Sequence, residues 1–286
     1  MSNDTDLTTR IQEPLTLDSL HPSQTSWLFQ GLQQLSSIST LLDDLDQGTA
    51  IAASDGSFDK NTSITTSGWI IESEDGKEFI SGMSFPAFNS VCNGAYRGEI
   101  AGLLAITHMA TYLAVKHGMN KATLTVGCNN IRALDSCFNS KTAKSPKWKH
   151  SDILSRVEGV LKLQKLQIIP KHVYGHQDQN SSYDSLSREA QMNVRMDGLA
   201  KTAWSLVERR YITPPTMSNH PLGMLPISIH DKPIHDQYAT SIYSAIADKK
   251  SHQWWLTKGR YKLHDIPQIH WGICRDAAKT TSKGEQ

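Results

Sequence analysis

The sequence holds four cysteines in 286 residues (Cys92, Cys128, Cys137 and Cys274), and no two of them form a C-x-x-C pair. That disfavours a disulfide scaffold and a zinc ribbon, and fits a reducing, intracellular setting with nucleus and cytoplasm both open. No run of about 18 apolar residues occurs, so no membrane span or membrane partner is expected. A basic start followed by an apolar stretch is missing from the first 30 residues, so no secretory signal is visible. The phosphate-cradling G-x-x-x-x-G-K-[ST] loop is absent, and so is the G-x-S-x-G elbow of serine hydrolases. His172 and His176 have an H-x₃-H spacing, but zinc would need two further ligands and no C-x-x-C follows. Internal repeats are not apparent.

Charge is nearly balanced, at +1 formally, but unevenly spread. Residues 1–50 carry seven acids and one base, leaving 28 bases against 21 acids for the remainder. A basic body behind an acidic leader suits a protein that meets a polyanion. Apolar residues make up 38% and charged residues 20%, an ordinary composition for a folded domain.

Three parts are expected: an acidic leader with one helix over 1–48, a main domain over 49–210, and a Pro-containing linker with a C-terminal extension over 211–286. In the leader, Trp27, Leu28, Leu32, Leu35, Ile38 and Leu42 recur at helical steps, which predicts a helix over 23–46. Thr49–Asp55 reads as a buried strand ending at Asp55, with Gly56 and Ser57 in a turn. Strand-like runs follow at 67–71 and 78–85, with the hairpin signal Asp75-Gly76 between them. A helix is predicted from Tyr96 to His117, stopped by Gly118. Its stripe of Glu99, Leu103, Ile106, Ala110 and Leu113 puts a carboxylate at the head of an apolar face. Strands at 121–126 and 166–174 and helices at 129–137, 151–164 and 186–208 complete the pattern. The order β-β-β-α-β-α-α-β-α predicts an α/β fold with a five-stranded mixed sheet flanked by helices.

Three acids sit where acids are costly. Asp55 lies at a buried strand, Glu99 on a core face, and Asp197 within a largely apolar helix. Ionised carboxylates near a core require a partner or a cation. Converging on one strand-end crevice, they would hold divalent ions.

The residues around them carry a resemblance. The segments are Ser54-Asp55-Gly56-Ser57, Tyr96-Arg97-Gly98-Glu99-Ile100-Ala101 and Val126-Gly127-Cys128-Asn129-Asn130-Ile131-Arg132. His172-Val173-Tyr174-Gly175-His176-Gln177-Asp178 and Asn193-Val194-Arg195-Met196-Asp197-Gly198-Leu199-Ala200-Lys201 follow. In content, order and spacing, over about residues 49–208, they resemble the ribonuclease H type 1 family, in particular the ribonuclease H domains of retrotransposon reverse transcriptases. The resemblance implies a ribonuclease H-like fold and an endonuclease that cleaves the RNA strand of an RNA/DNA hybrid. Two Mg²⁺ ions about 4 Å apart, with Mn²⁺ able to substitute, would drive the hydrolysis. It implies Asp55, Glu99 and Asp197 as metal ligands and His176 on a mobile loop near the scissile phosphate. The fourth ligand position falls on Asn129. An amide there offers one neutral oxygen, so binding with impaired cleavage is expected. The alternatives are a catalytically inactive nucleic-acid-binding module of a retroelement polyprotein and an inert structural remnant.

Gly56, Ser57, Asn130 and Gln177 are the candidate substrate contacts, with ordinary turn and cap bonding equally open to them. Ala95-Tyr96 stand where the family often has Asn. Lys141, Lys144, Lys147 and Lys149, with Trp148, form a candidate phosphate-tracking handle. Trp254, Trp255, Lys258, Arg260 and Tyr261 interleave aromatic and basic residues, and packing is the better reading of them.

Overall fold

Glu99 and its apolar stripe belong to a 22-residue helix that is buried along most of its length. In the computed structural model, residues 26–34, 37–86, 94–139, 149–163 and 166–209 are described, with isolated positions from 228 to 253. The described elements are β1 (Gln30–Gln34), α1 (Ser39–Gln47), β2 (Ile51–Asp59), β3 (Ile64–Glu72), β4 (Phe79–Ser84) and α2 (Ala95–Lys116). After them come β5 (Ala122–Cys128), α3 (Ile131–Leu134, running into a π-turn over Asp135–Asn139), α4 (Ser151–Leu163), β6 (Leu166–His172) and α5 (Arg188–Glu208).

The strands form one mixed sheet in the order β1-β4-β3-β2-β5-β6. β2, β3, β4 and β1 pair antiparallel, whereas β2, β5 and β6 run parallel. This is the α/β sheet expected, with six strands instead of five. The extra strand is β1, from a segment whose spacing predicted helix. The 23–46 stretch is instead a 3₁₀ turn at Ser26–Leu28, a strand, and a helix beginning at Ser39. Gly31 interrupts any helix there with a left-handed φ of 57°. Leu28 is tied in twice, its carbonyl accepting from Trp69 Nε1 at 2.9 Å and from Ser84 Oγ at 3.0 Å. Trp27, Leu28, Phe29, Leu41 and Leu45 are all buried in the main core. From residue 26 onward, the expected leader is therefore part of the sheet domain, and residue 48 divides nothing.

Alternation along the strands sends side chains to two faces. Ala52, Trp69, Ile71 and Ile80 pack on one face with the α2 residues Leu103, Ile106, Ala110 and Leu113. Ala53 and Ile70 pack on the other with Met192 and Met196 of α5. Small residues set the close approaches: a Cβ on Gly68 would sit 2.5 Å from the Met196 carbonyl. Among the described helices, α2 alone is long and apolar enough to cross a membrane by length and composition, and most of it is buried in this core. Asp75-Gly76 turns between β3 and β4 as expected, Gly76 having φ 71°. Cys128 and Cys137 are buried thiols that form no disulfide among the described residues.

The chain divides into two units, 1–237 and 238–286. In the first, Ser228–Ile229 pairs with Lys232–Pro233. In the second, helical positions occur at Tyr243, Ile246, Ala247, Lys249, Lys250 and Gln253. The 211–226 linker, the handle residues Lys141, Lys144, Lys147 and Trp148, and Trp254, Trp255, Lys258, Arg260 and Tyr261 lie outside the described residues.

Candidate active site

β2 and β5 part company where chemistry is expected. They pair only from Ile51 to Ser54, opposite Thr125 to Cys128. β5 ends there, while β2 continues to Asp59 against β3 alone. The fork opens a crevice at the carboxyl ends of parallel strands, flanked by Asp55 and Asn129. Asp55 therefore lies within its strand instead of ending it. Gly56 and Ser57, expected in a turn, are strand residues paired with Ser67 and Thr66. Gly56 has a packing duty: a Cβ there would lie 2.4 Å from the Glu99 backbone nitrogen. Only glycine lets the first turn of α2 come so close.

That contact brings Glu99 against Asp55. Both are 4% exposed, and their carboxyl groups share a hydrogen bond. Burial, and next the charge of Asp197, push Asp55 up to about 6; bonds from Glu99, Asn129 and the Gly56 backbone pull it the other way. Burial first, and then Asp55, raise Glu99 well above the usual range. Two carboxyls in contact repel as anions, which favours the protonated form of the pair until a counter-charge arrives.

Amides hold the rest of Asp55. Asn129 Nδ2 donates to Oδ1 at 3.1 Å, and Asn193 Nδ2 to Oδ2 at 3.3 Å. Asn193 is buried and its own Oδ1 has no partner among the described residues. Asp197, one turn further along α5, acts on Asp55 by charge and bonds Lys201 at 2.6 Å. Beneath Glu99 lies Cys128, its Sγ 3.4 Å from Oε2, and burial followed by that carboxyl pushes the thiol up.

The loop after β6 begins against this group. A Cβ on Gly175 would stand 3.3 Å from Asn129 Nδ2, and His172 Nε2 lies 3.2 Å from the Asn129 carbonyl oxygen. His176 follows, exposed, in a left-handed conformation at φ 54°. Asn130 turns away to cap α3, accepting from the Ala133 N–H. Gln177 closes its own turn by donating to the Tyr174 carbonyl at 2.7 Å. Both thus have the local role left open beside substrate contact.

Asp55, Glu99 and Asn129 are brought into contact, and Asp197 within electrostatic reach. Among the described residues no three His, Cys, Asp or Glu side chains gather as a ready cage for a metal ion. Asn193, four residues before Asp197 on one face of α5, is legible as part of the motif that carries the resemblance, and Cys128 only as the neighbour of Asn129; their contacts with Asp55 and Glu99 come from the fold. The Arg97–Asp152 pair was also missed. Arg97 is fully buried and donates to both Asp152 oxygens, at 3.1 and 2.6 Å, binding the first turn of α2 to α4. The separation of these residues in sequence hid it.

No family model and no curated protein matches the chain. Solved structures do. The ribonuclease H1 of the halophilic archaeon Halobacterium salinarum is 18% identical at TM-score 0.34, over 49% of this chain and 96% of its own. The N-terminal ribonuclease H domain of a Mycobacterium tuberculosis protein, solved as a fusion with maltose-binding protein, is 19% identical at TM-score 0.31, covering 54% and 97%. A ribonuclease H1 isolated from compost, solved in complex with an RNA/DNA hybrid, is 15% identical at TM-score 0.33, covering 54% and 99%. These solved structures are of ribonuclease H proteins, and the similarity to them spans about half of this chain's length.

Proposed function

We propose that this chain binds an RNA/DNA hybrid at the crevice of Asp55, Glu99 and Asp197, and that its hydrolysis of the RNA strand is impaired by Asn129. The observation that carries the reading is the Asn129 amide, 3.1 Å from Asp55, whose carboxyl is buried beside that of Glu99. A carboxylate at 129 would face Asp55 with like charge and would call for a cation; the amide quiets that need.

The donor set fits a hard divalent ion, magnesium or manganese, because it is made of carboxylate and amide oxygens, including the orphan Oδ1 of Asn193 nearby. Asp55, Glu99, Asp197 and the Asn129 side-chain oxygen would hold it. When bound, such ions supply Lewis acidity for phosphodiester hydrolysis. The residues do the remainder. Gly56 keeps Glu99 against Asp55. Asn193 fixes the second Asp55 oxygen. His176, exposed at the rim, is the imidazole available to move a proton to or from the cleaved strand. A hybrid is read by its shape and its 2′-hydroxyls, which asks for backbone and short polar groups and not for a base code. A place within a retroelement reverse-transcriptase polyprotein, inside the cell, is supported by the sequence resemblance alone.

The same amide bond favours a second reading, a module that grips the hybrid and never cuts it. The test is Mg²⁺-dependent cleavage of a labelled hybrid by this chain and by Asn129→Asp. Slow cleavage rising by roughly a hundredfold in the variant supports the impaired enzyme. Tight binding with no cleavage by either supports the module. Equal, robust turnover by both would overturn the role given to Asn129.

A further inference from the structure

Lys201 lies one turn beyond Asp197 on α5, with Nζ 2.6 Å from Asp197 Oδ2. Its ammonium is felt beyond that partner. Asp197, Asp55 and Asp178 all act on it by charge, so it stands in the field of the whole crevice. Asp55 in turn feels Asp197. The crevice is therefore less acidic than its carboxylates suggest, for two separate reasons. Position 129 contributes an amide that donates to Asp55. Position 201 contributes a fixed positive charge bonded to Asp197.

Once a cation has displaced the proton between Asp55 and Glu99, three carboxylates and one ammonium leave two negative charges. One divalent cation balances these, and a second would overfill the site until a phosphate arrived. We infer that the crevice takes a single divalent cation and that Lys201 stands in for a second: it is a positioning residue that holds Asp197 and competes with metal for that carboxylate. This rests on the cation-binding reading of the site given above. Its chemical consequence is asymmetry. For Asp55 and Glu99 the cation would compete with no ammonium, whereas the Asp197 carboxylate would be shared between the cation and Lys201. An incoming phosphate can take Lys201 as its own partner and so free Asp197.

Mn²⁺ titration of the full chain, followed by calorimetry and by the electron paramagnetic resonance of free Mn²⁺, tests this without recourse to turnover. The unaltered chain is expected to bind one ion. Lys201→Met should bind Mn²⁺ about three- to fivefold more tightly at low salt, with the gain shrinking as salt is added. Lys201→Arg should behave as the parent does. Lys201 is half exposed, so neither change threatens the core. Two ions bound by the unaltered chain, or an affinity that Lys201→Met leaves unchanged, would overturn the inference while leaving the cation-binding reading intact. No ion bound by any of the three proteins would overturn both.

Discussion

Arg97 and Glu99 stand two places apart on one turn of α2, and both are buried, at 0% and 4% exposure. Their surroundings are opposite. Arg97 meets a carboxylate that accepts from both of its terminal nitrogens, with His150 beside it. Glu99 meets another carboxyl. The same turn therefore holds one charge that is fully matched and one that is left facing its like. Matched charge fixes where the helix starts. Mismatched charge is held in place by packing against Gly56 and by the amides of Asn129 and Asn193 on Asp55. Folding alone gives no reason for the second arrangement, and this is the ground for locating chemistry there.

Removing the match should have the largest effect. Arg97→Met takes from the buried Asp152 carboxylate the guanidinium that meets both of its oxygens, leaving it the charge of Arg156, and is expected to cost about 3–5 kcal/mol in urea unfolding. A loss within experimental error would show that the pair is not what anchors α2. The mismatch has its own signature in pH. Asp55 sits near 6 in the folded chain against an ordinary 3.8, so the folded state holds this proton more tightly than the unfolded one. The stability so gained is complete below about pH 4 and is lost as pH rises through 6, about 3 kcal/mol in all for the metal-free protein. Thermal melts in EDTA from pH 4 to 8 read this directly, and a flat profile would mean that the carboxyls are already matched. Next in size comes Gly56→Ala, whose methyl group would meet the Glu99 backbone. About 1–3 kcal/mol is expected, together with weakened Mn²⁺ binding, both measurable on one preparation. The smallest effect is that of Asn193→Ala. Losing its bond to Asp55 should cost about 1 kcal/mol. If stability rises instead, the buried orphan Oδ1 outweighs the bond that Nδ2 makes.

The matched region was illegible in the sequence, whereas the mismatched one was half legible. Glu99 could be read because its stripe runs Leu103, Ile106, Ala110 and Leu113, and a carboxylate at its head is out of place. Asp197 and Asp55 stood out for similar reasons. Asp152 gave no such signal: an acid in the first turn of a helix is an ordinary dipole partner, and only the fold shows that it reaches Arg97, 55 residues earlier. The 26–34 stretch was misread because Trp27, Leu28 and Leu32 satisfy helical spacing by chance, while Gly31 and the short alternation of β1 carried the better signal. Gly56-Ser57 has the composition of a turn, yet a strand with one free side accepts these residues, since β5 has already ended there.

The carbonyl of Leu28 serves two partners from the far edge of the sheet. Trimming the protein to begin at residue 49, as the resemblance over 49–208 invites, would strip β4 of its outer neighbour and leave Trp69 Nε1 and Ser84 Oγ without their acceptor. The bared edge is a template for sticking to other copies, so such a short clone should collect in inclusion bodies and yield little for assay.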